Sequence, residues 1–415
     1  MRPLRPWMFI RELKTLEQEG IEPILDRLQA GGIRGIVLGD LWFDDGTPAF
    51  QPNRSLYAGL QHQPAELLPR LAERGGVVGR AIRTARARGV EVYLHDWGHL
   101  GVGQGMNDPE SIAYAVARTR DTLEQFPGIS GFITDGPEWG YEIEPGNRQY
   151  AFRPLDRHDR LRAKERGFDP EVLEKGAGRF RSFLGSLTPE RVDLLRAARP
   201  GLIDAADLFC ADPEMAVWLS FRQRSVRDWV GALYRTVKEI DPKVAVACGP
   251  RTAAFAPLAG YNLHHLQAVT DFLCPKLYFW MNGFDGLKGT VARWATTLME
   301  WNEGLTETQA LGVVYRIFGF SLPGVSTIAD LELPFTRDFF RTVVPSEIAK
   351  TLFRAGDPSR LQPWMGLHHG GTRIGTEELE WLLDAIADSP LPGLIYWHYE
   401  DMQAEEWSLL QRVAQ

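Results

Sequence analysis

Short apolar runs alternate with longer amphipathic stretches along the chain. The runs are almost continuously apolar, a pattern that is typical of strands buried on both faces of a parallel sheet covered by helices. Eight such runs predict eight strands, at residues 6–13, 33–43, 90–99, 129–136, 242–250, 271–281, 361–370 and 392–401. The pattern of hydrophobic and polar positions therefore predicts an α/β fold.

Helical sequence follows each predicted strand, which favours a (β/α)8 barrel. The first amphipathic stretch, at residues 22–32, ends in two glycines, as a helix C-terminus often does. A doubly wound open sheet is the alternative, but no G-x-G-x-x-G motif follows the first strand, so its dinucleotide-binding form is not supported. We expect one domain over residues 1–415, with helical insertions at about 141–216 and 288–353, after strands four and six.

The composition is that of an ordinary globular protein, with 44% hydrophobic and 24% charged residues. A formal net charge of -8 without a basic stripe argues against a nucleic-acid partner. No window approaches 18 consecutive apolar residues, so no membrane span is expected. Three cysteines without C-x-x-C spacing and an N-terminal segment without a long apolar run favour a cytoplasmic location, although a secreted chain trimmed of its signal would look the same. A homo-oligomer remains open.

Two carboxyl groups and an indole follow predicted strand four, at Asp135, Glu138 and Trp139. In a (β/α)8 barrel, the chemistry takes place at the carboxyl ends of the strands. Paired carboxyls suit cleavage of a glycosidic bond, because one can act as nucleophile or base while the other donates a proton, and a flat aromatic face can stack on a sugar ring. Asp-Gly-Pro is also a favourable turn sequence, so a turn without catalytic function is the alternative.

Polar or aromatic side chains stand at every predicted strand end, which capping alone does not explain. Glu400, on strand eight, is a third candidate catalytic residue, and Asp285 is a fourth. Arg251 and Asp401 also stand at strand ends, without an assigned role. The residues expected to bind substrate share this position, and they are Asp40, Trp42, His95, Asp96, Trp97, Trp139, Lys276, Tyr278, Trp280, His368, Tyr396 and His398.

Alternation along strand eight predicts which of its side chains point into the barrel. Tyr396, His398 and Glu400 share one face of an extended strand, and we expect this face to look inward. The opposite face carries Ile395, Trp397 and Tyr399, which we expect to pack against helices.

A metal site is the competing interpretation of the polar residues at the strand ends. The residues that could in principle build a Zn²⁺ or Mn²⁺ site are His95, Asp96, His99, His368, His369 and His398. Strand one lacks the H-x-H that metal-dependent amidohydrolase barrels carry there, so no cofactor is expected, and a metal-dependent sugar isomerase or hydrolase is kept as an alternative. No G-x-S-x-G motif supports serine catalysis.

Four segments carry a resemblance to a known group of proteins. They are GISGFITDGPEW on strand four, LSFRQRSVRDWV before strand five, PKLYFWM on strand six and GLIYWHYED on strand eight. With these segments the chain resembles the glycoside-hydrolase-type TIM barrels, in particular the hypothetical glycosyl hydrolase families of bacteria. The resemblance implies a glycoside hydrolase of carbohydrate metabolism with a carbohydrate substrate. A catalytically inactive barrel that only binds sugar is the other alternative.

The chain departs from the best-known clans of such barrels. Strand four lacks the Asn-Glu pair of the large retaining clan, and strand seven ends in His368 and His369 where that clan has its nucleophile. The chitinase-like pattern needs an Asp at position 136, which is glycine here. In the α-galactosidase-like layout, Asp135 would be the nucleophile and Asp285 the acid/base. The sugar, the linkage and the stereochemical outcome therefore remain open.

Overall fold

The computed structural model describes residues 3–39, 41–42, 47–68, 71, 74–96, 105–143, 147–198, 202–282, 286–369 and 372–415. Its main sheet has nine strands, all in parallel register, in the order β6-β5-β4-β3-β2-β1-β11-β8-β7. These strands are β1 Arg5–Ile10, β2 Gly35–Leu38, β3 Glu91–Asp96, β4 Gly131–Thr134, β5 Ala245–Cys248, β6 Phe272–Leu273, β7 Lys276–Leu277, β8 Trp364–Gly366 and β11 Gly393–Trp397. The strands β9 His368–His369 and β10 Thr372–Arg373 form a separate antiparallel pair.

The two ends of the main sheet lie in one segment of chain. β6 pairs with β5, whereas β7 pairs with β8, and only Cys274 and Pro275 separate β6 from β7. The Cys274 N–H donates to Cys248 O at 2.8 Å, and the Trp364 N–H donates to Pro275 O at 3.0 Å. The sheet therefore curls round onto this segment, which gives a TIM-barrel-like fold.

Two expected strands differ from the structure in more than their bounds. The strand expected over 271–281 is divided into β6 and β7, because Pro275 has no N–H to donate to a sheet ladder. The strand expected over 361–370 ends at Gly366, and the following histidines belong to β9.

Helices follow the strands and cover the outside of the sheet. They are α1 Leu13–Glu19, α2 Ile21–Ala30, α3 Arg74–Ala87, α4 Pro109–Gln125, α5 Arg157–Glu165, α6 Pro170–Leu184, α7 Pro189–Ala198, α8 Leu202–Ala211, α9 Pro213–Ile240, α10 Leu263–Leu266, α11 Leu287–Trp301, α12 Glu307–Phe318, α13 Arg337–Ala355, α14 Thr376–Ala387 and α15 Ala404–Ala414. Within the described residues, five helices lie between β4 and β5, and three lie between β7 and β8. None of the helices in the described part of the chain is long and apolar enough to cross a membrane.

The sheet separates two hydrophobic cores. The inner core lies inside the curl and is rich in aromatic side chains; its members include Trp7, Phe9, Tyr93, Ile133, Tyr278, Trp280, Trp364 and Ile395. The outer core lies between the sheet and the helices, and Met8, Ile10 and Leu94 belong to it. Alternate residues of each strand thus serve different cores, as the period of two requires.

The side chains of strand eight point the opposite way from the prediction. Tyr396 was expected to point into the barrel, but it faces the helices. In β11, Ile395 belongs to the inner core and Trp397 packs against it, whereas Tyr396 belongs to the outer core. The Tyr396 hydroxyl donates to Glu406 Oε2 of α15 at 3.0 Å. The register explains the reversal, because Tyr396 is paired with Met8, which also faces the helices.

Candidate active site

Asp135 lies at the carboxyl end of β4, and its side chain is buried, with 5% of the residue exposed. Its N–H donates to Asp96 O of β3 at 2.8 Å, which continues the sheet ladder by one residue. Its Oδ1 lies 2.9 Å from Lys276 Nζ of β7, and its Oδ2 lies 3.9 Å from His95 Nε2 of β3. The structure therefore brings together three predicted site residues from three strands.

Burial and the neighbouring cations have opposite effects on the pKa of Asp135. Burial alone raises the pKa of the carboxyl, but the charges of Lys276 and Arg251 outweigh it, so the pKa lies below its ordinary value. Burial lowers the pKa of His95 to about 4, although the nearby carboxylate of Asp135 opposes this. At neutral pH the site thus holds an ionised carboxylate beside a neutral imidazole.

Two further polar groups lie in the inner core. The Tyr278 hydroxyl and the Trp364 Nε1 are buried, and neither has a hydrogen-bond partner among the residues that the structure describes. A Cβ placed at Gly249 would lie 3.2 Å from Asp135 Oδ1 and 3.6 Å from Trp364 Nε1, so this glycine leaves room where the two groups approach each other. Buried donors without partners are costly, and a ligand oxygen would satisfy them.

Glu138 is held by Arg251, which directly follows Gly249 and Pro250 at the end of β5. Both carboxylate oxygens of Glu138 accept from this guanidinium in a bidentate pair. Each side chain is about one-tenth exposed, so the pair is largely shielded from water. A planar fork of this kind fixes geometry as well as charge.

A stack of aromatic rings lines one side of the inner core near its carboxyl end. The Tyr278 and Trp280 ring centroids are 4.4 Å apart, and the Trp280 and His369 centroids are 5.5 Å apart, in both cases with nearly parallel planes. Trp397 meets the Tyr278 ring edge-on at 5.3 Å. Gly366 in β8 permits this stack, because a Cβ there would meet both the Tyr278 and the Trp280 rings.

Four predicted binding residues lie in the outer layer instead, and two of them are tryptophans. The Trp42 Nε1 donates to Thr122 Oγ1 at 2.9 Å, and the Trp139 Nε1 donates to Arg222 O at 3.1 Å. Both indoles are 4% exposed and belong to the outer core.

Asp96 also points outward, and its Oδ2 accepts from Arg118 Nη2 of α4 at 2.8 Å. With Tyr396, these side chains pack the sheet against its helices and do not line the inner core around Asp135. Their position is a correction to the expectation that polar and aromatic strand-end residues all face the ligand.

Glu400 connects the last strand to the first helix. Its Oε1 accepts from the Glu12 N–H at 2.8 Å and from Thr15 Oγ1 at 3.2 Å, and its Oε2 accepts from the Arg11 N–H at 3.3 Å. The same Oε2 lies 3.0 Å from His398 Nδ1. Both oxygens are engaged, which suits an anchoring role for this carboxylate.

His398 and His368 meet at Asp401, beside the Glu400 anchor. The Asp401 Oδ2 lies 2.6 Å from His368 Nε2 and 3.1 Å from His398 Nε2. His95 does not join them, because it lies beside Asp135 in the inner core. The structure thus divides the histidines that the sequence grouped together.

Sequence reasoning assigned no role to three residues that help to build this region, namely Arg251, Trp364 and Asp401. Arg251 and Asp401 stand at strand ends, which the sequence shows, but Glu138 and His368, which pair with them, are far away in the sequence. Trp364 lies at the start of β8 and carried no signal of its own. The predicted residues Asp40, Trp97, His99 and Asp285 lie outside the described residues.

One large cleft lies elsewhere in the described chain. It has a volume of about 1290 Å³ and lies among helices α6, α9, α12 and α13, with Trp218, Leu311 and Phe318 in its lining. It shares none of its lining residues with the group around Asp135. We place the candidate site at Asp135 because the ionised carboxylate and the buried donors converge there, whereas volume alone carries no chemistry.

The fold and the strand-end carboxylate define a class of architecture, the TIM-barrel type seen in solved glycoside hydrolases. A β-galactosidase from the psychrophilic Marinomonas ef1 is 10% identical, with a TM-score of 0.52, over 99% of this chain and 59% of that chain. An endo-1,4-beta-mannanase from Rhizomucor miehei is 9% identical, with a TM-score of 0.50, over 100% of this chain and 94% of that chain. No family model and no curated protein sequence matches this chain. The likeness concerns the fold.

Proposed function

We propose that the protein is a glycoside hydrolase in which Asp135 is the carboxylate that attacks the anomeric carbon or activates water. The observation that carries the proposal is the inward-facing, ionised Asp135 at the carboxyl end of β4, 2.9 Å from Lys276 Nζ. Its position is the one that a catalytic residue takes in this fold. The cations beside it keep the carboxylate charged at neutral pH, as a nucleophile or base requires.

Glu138 is the second carboxyl of the proposed pair. Both of its oxygens accept from Arg251, so donation of a proton by Glu138 requires the substrate to displace the guanidinium from one oxygen. Glu400, the third candidate, is held by three donors from the start of α1 and by His398, and we assign it to positioning.

Within the stack of Tyr278, Trp280 and His369, the two larger rings are buried and His369 is exposed, so we expect a sugar ring to contact the stack at His369. His95 and Lys276 lie within reach of a hydroxyl bound at Asp135, and the unpaired Tyr278 hydroxyl offers a further hydrogen bond. The proposed substrate is therefore a carbohydrate whose scissile bond lies over Asp135. We also propose that the helices at about 141–216 and 288–353 are insertions in a single catalytic domain.

A panel of aryl glycosides, with both anomers of common sugars, tests the proposal. Asp135→Asn should lower kcat/KM by about 10³-fold or more, because it removes the charged oxygen and leaves the shape unchanged. Asp121→Asn is the matched control: Asp121 is also buried, but on α4, where it accepts from Tyr57 Oη at 3.0 Å. The control should keep kcat/KM within about threefold of wild type.

The outcomes distinguish a glycosidase that uses Asp135 from the alternatives. Turnover that survives in Asp135→Asn contradicts the assignment of the nucleophile or base. Binding of a sugar without turnover on any glycoside would favour the inactive carbohydrate-binding barrel. Where turnover is found, the anomer of the first product, followed by NMR, reports a retaining or inverting course.

A further inference from the structure

A second cluster of polar groups lies at the end of β11, separate from the Asp135 group. One ligand atom from each of His368, His398 and Asp401 lies within 4.8 Å of the other two. His368 comes from β9, whereas His398 and Asp401 follow β11, so the fold brings two separate segments to one point. Two imidazoles and one carboxylate are a common ligand set for divalent transition metals.

The contacts within this cluster suit a cation. One oxygen, Asp401 Oδ2, is approached by both imidazole nitrogens, at 2.6 Å and 3.1 Å. His368 Nε2 is shielded from solvent, yet at 2.6 Å from that oxygen it makes no hydrogen bond of acceptable geometry. His368 Nε2 and His398 Nε2 both face this one oxygen, an arrangement that suits ligands around a common metal ion.

Glu400 orients one of the two imidazoles. His398 Nδ1 lies 3.0 Å from Glu400 Oε2, and a carboxylate can only accept, so Nδ1 carries the proton. The lone pair of a neutral His398 is then on Nε2, the atom that faces Asp401. A carboxylate behind a histidine in this way is the usual support of a metal ligand. The backbone N–H groups of Arg11 and Glu12 hold Glu400 in turn.

We propose that His368 Nε2, His398 Nε2 and Asp401 Oδ2 bind a divalent transition-metal ion of the Zn²⁺ type. Metal–ligand distances of about 2.0–2.1 Å place tetrahedral ligand atoms about 3.3 Å apart, so the cluster needs only small side-chain shifts. The Asp401 side chain is 44% exposed, which gives the ion a path from solvent and leaves coordination positions open.

The site goes beyond the proposed glycosidase activity and does not depend on it. Trp397, which precedes His398, packs against Tyr278 at 5.3 Å and against Trp364 at 6.2 Å. The metal site is therefore one aromatic layer away from the Asp135 group and shares none of its polar residues.

Metal titration of the whole chain, freed of any polyhistidine tag and dialysed against chelator, tests the inference. Zn²⁺ is added in competition with a chromophoric chelator at pH 7.5, and about one equivalent should bind. His368→Gln and Asp401→Asn should each weaken binding by about 100-fold, because each removes one of three ligands. Glu400→Gln should weaken it by about 10- to 100-fold through loss of the support behind His398.

A matched control addresses adventitious binding by surface histidines. His264 and His265 form an exposed neighbouring pair on α10, with ring centroids 5.9 Å apart. His264→Gln should leave the stoichiometry and the affinity unchanged. His368 is only partly buried, so its variant should fold even if one at the buried His398 does not.

Two results would overturn the metal site. One is that the wild type binds well under one equivalent of Zn²⁺. The other is that His368→Gln binds Zn²⁺ as tightly as the wild type does. Either would leave the two imidazoles as hydrogen-bonding partners of Asp401. Co²⁺ gives a second readout, since its visible absorption should show a four- or five-coordinate site. Asp135→Asn should bind Zn²⁺ like the wild type, so failure of the glycosidase proposal leaves this test intact.

Discussion

Lys276 and Asp135 form a buried ion pair that joins β7 to the end of β4, with Nζ 2.9 Å from Oδ1. The Lys276 side chain is 3% exposed and that of Asp135 is 6% exposed, so water screens the pair very little. Burial, together with the charge of Arg251, lowers the pKa of Lys276, and the carboxylate of Asp135 raises it again. Each partner thus favours the charged form of the other, although burial disfavours charge in both groups.

Lys276→Met should destabilise the fold because it leaves the Asp135 charge buried without its nearest cation. The expected loss in the free energy of unfolding is about 3–5 kcal/mol, measured by urea denaturation at pH 7.5. Adding Asp135→Asn to Lys276→Met removes the stranded charge and should recover much of that loss. Additive losses in the double variant would show that the two residues do not interact.

His95 should make stability depend on pH between about 4 and 6.5. Its pKa is about 4 when folded, against 6.5 for an unperturbed group, so in this window the unfolded state binds a proton that the folded state does not. The free energy of unfolding therefore falls as the pH falls through the window, by roughly 3 kcal/mol in all.

His95→Gln removes this titration, so its stability should fall less steeply between pH 6.5 and 4.5 than that of the wild type. Urea denaturation at several pH values measures both slopes. Equal slopes would mean that His95 is protonated in the folded state at its ordinary pKa.

Gly366→Ala should disturb the aromatic stack in the inner core. The added Cβ would lie 2.7 Å from the Tyr278 ring and closer still to Trp280, so both rings must shift. We expect a loss of about 1–3 kcal/mol in the free energy of unfolding and weaker substrate binding, read as a higher KM. Gly178→Ala is the control, because nothing lies within 4 Å of its Cβ and it stands inside α6. There, alanine should stabilise by about 0.5–1 kcal/mol.

Arg251→Lys tests the bidentate pair between Arg251 and Glu138. Lysine keeps the charge but cannot bind both carboxylate oxygens side by side, so one buried oxygen loses its donor. The expected loss in the free energy of unfolding is about 1–3 kcal/mol. Arg120→Lys is the matched control on the surface, where Arg120 lies 3.4 Å from Glu239, and it should change stability by less than about 0.5 kcal/mol.

The alternation of strands and helices was readable from the sequence because it depends on local patterns. Apolar runs and their flanking turns placed all eight predicted strand segments where the structure has strands. The division of the sixth segment at Pro275 could not be predicted from a local pattern, because it depends on which neighbouring strand each half pairs with. Those neighbours, β5 and β8, are remote in the sequence.

The candidate site was only partly readable. Asp135, His95 and Lys276 were chosen as strand-end residues, and the structure brings them together. The direction of a side chain at a strand end depends on register, which is why Tyr396 and Asp96 face helices. The partner of Glu138 was not predictable, because Arg251 is 113 residues away in the sequence and no local pattern links the two.

The Glu400 carboxylate makes the first and last strand–helix units behave as one cooperative unit. Local opening of the turn after β11 must break its bonds to the Glu12 N–H and to Thr15 Oγ1, and so release the start of α1. Hydrogen exchange at the Glu12 amide therefore reports on an event almost four hundred residues further along the chain. The first and last strand–helix units are therefore coupled in stability as well as in position.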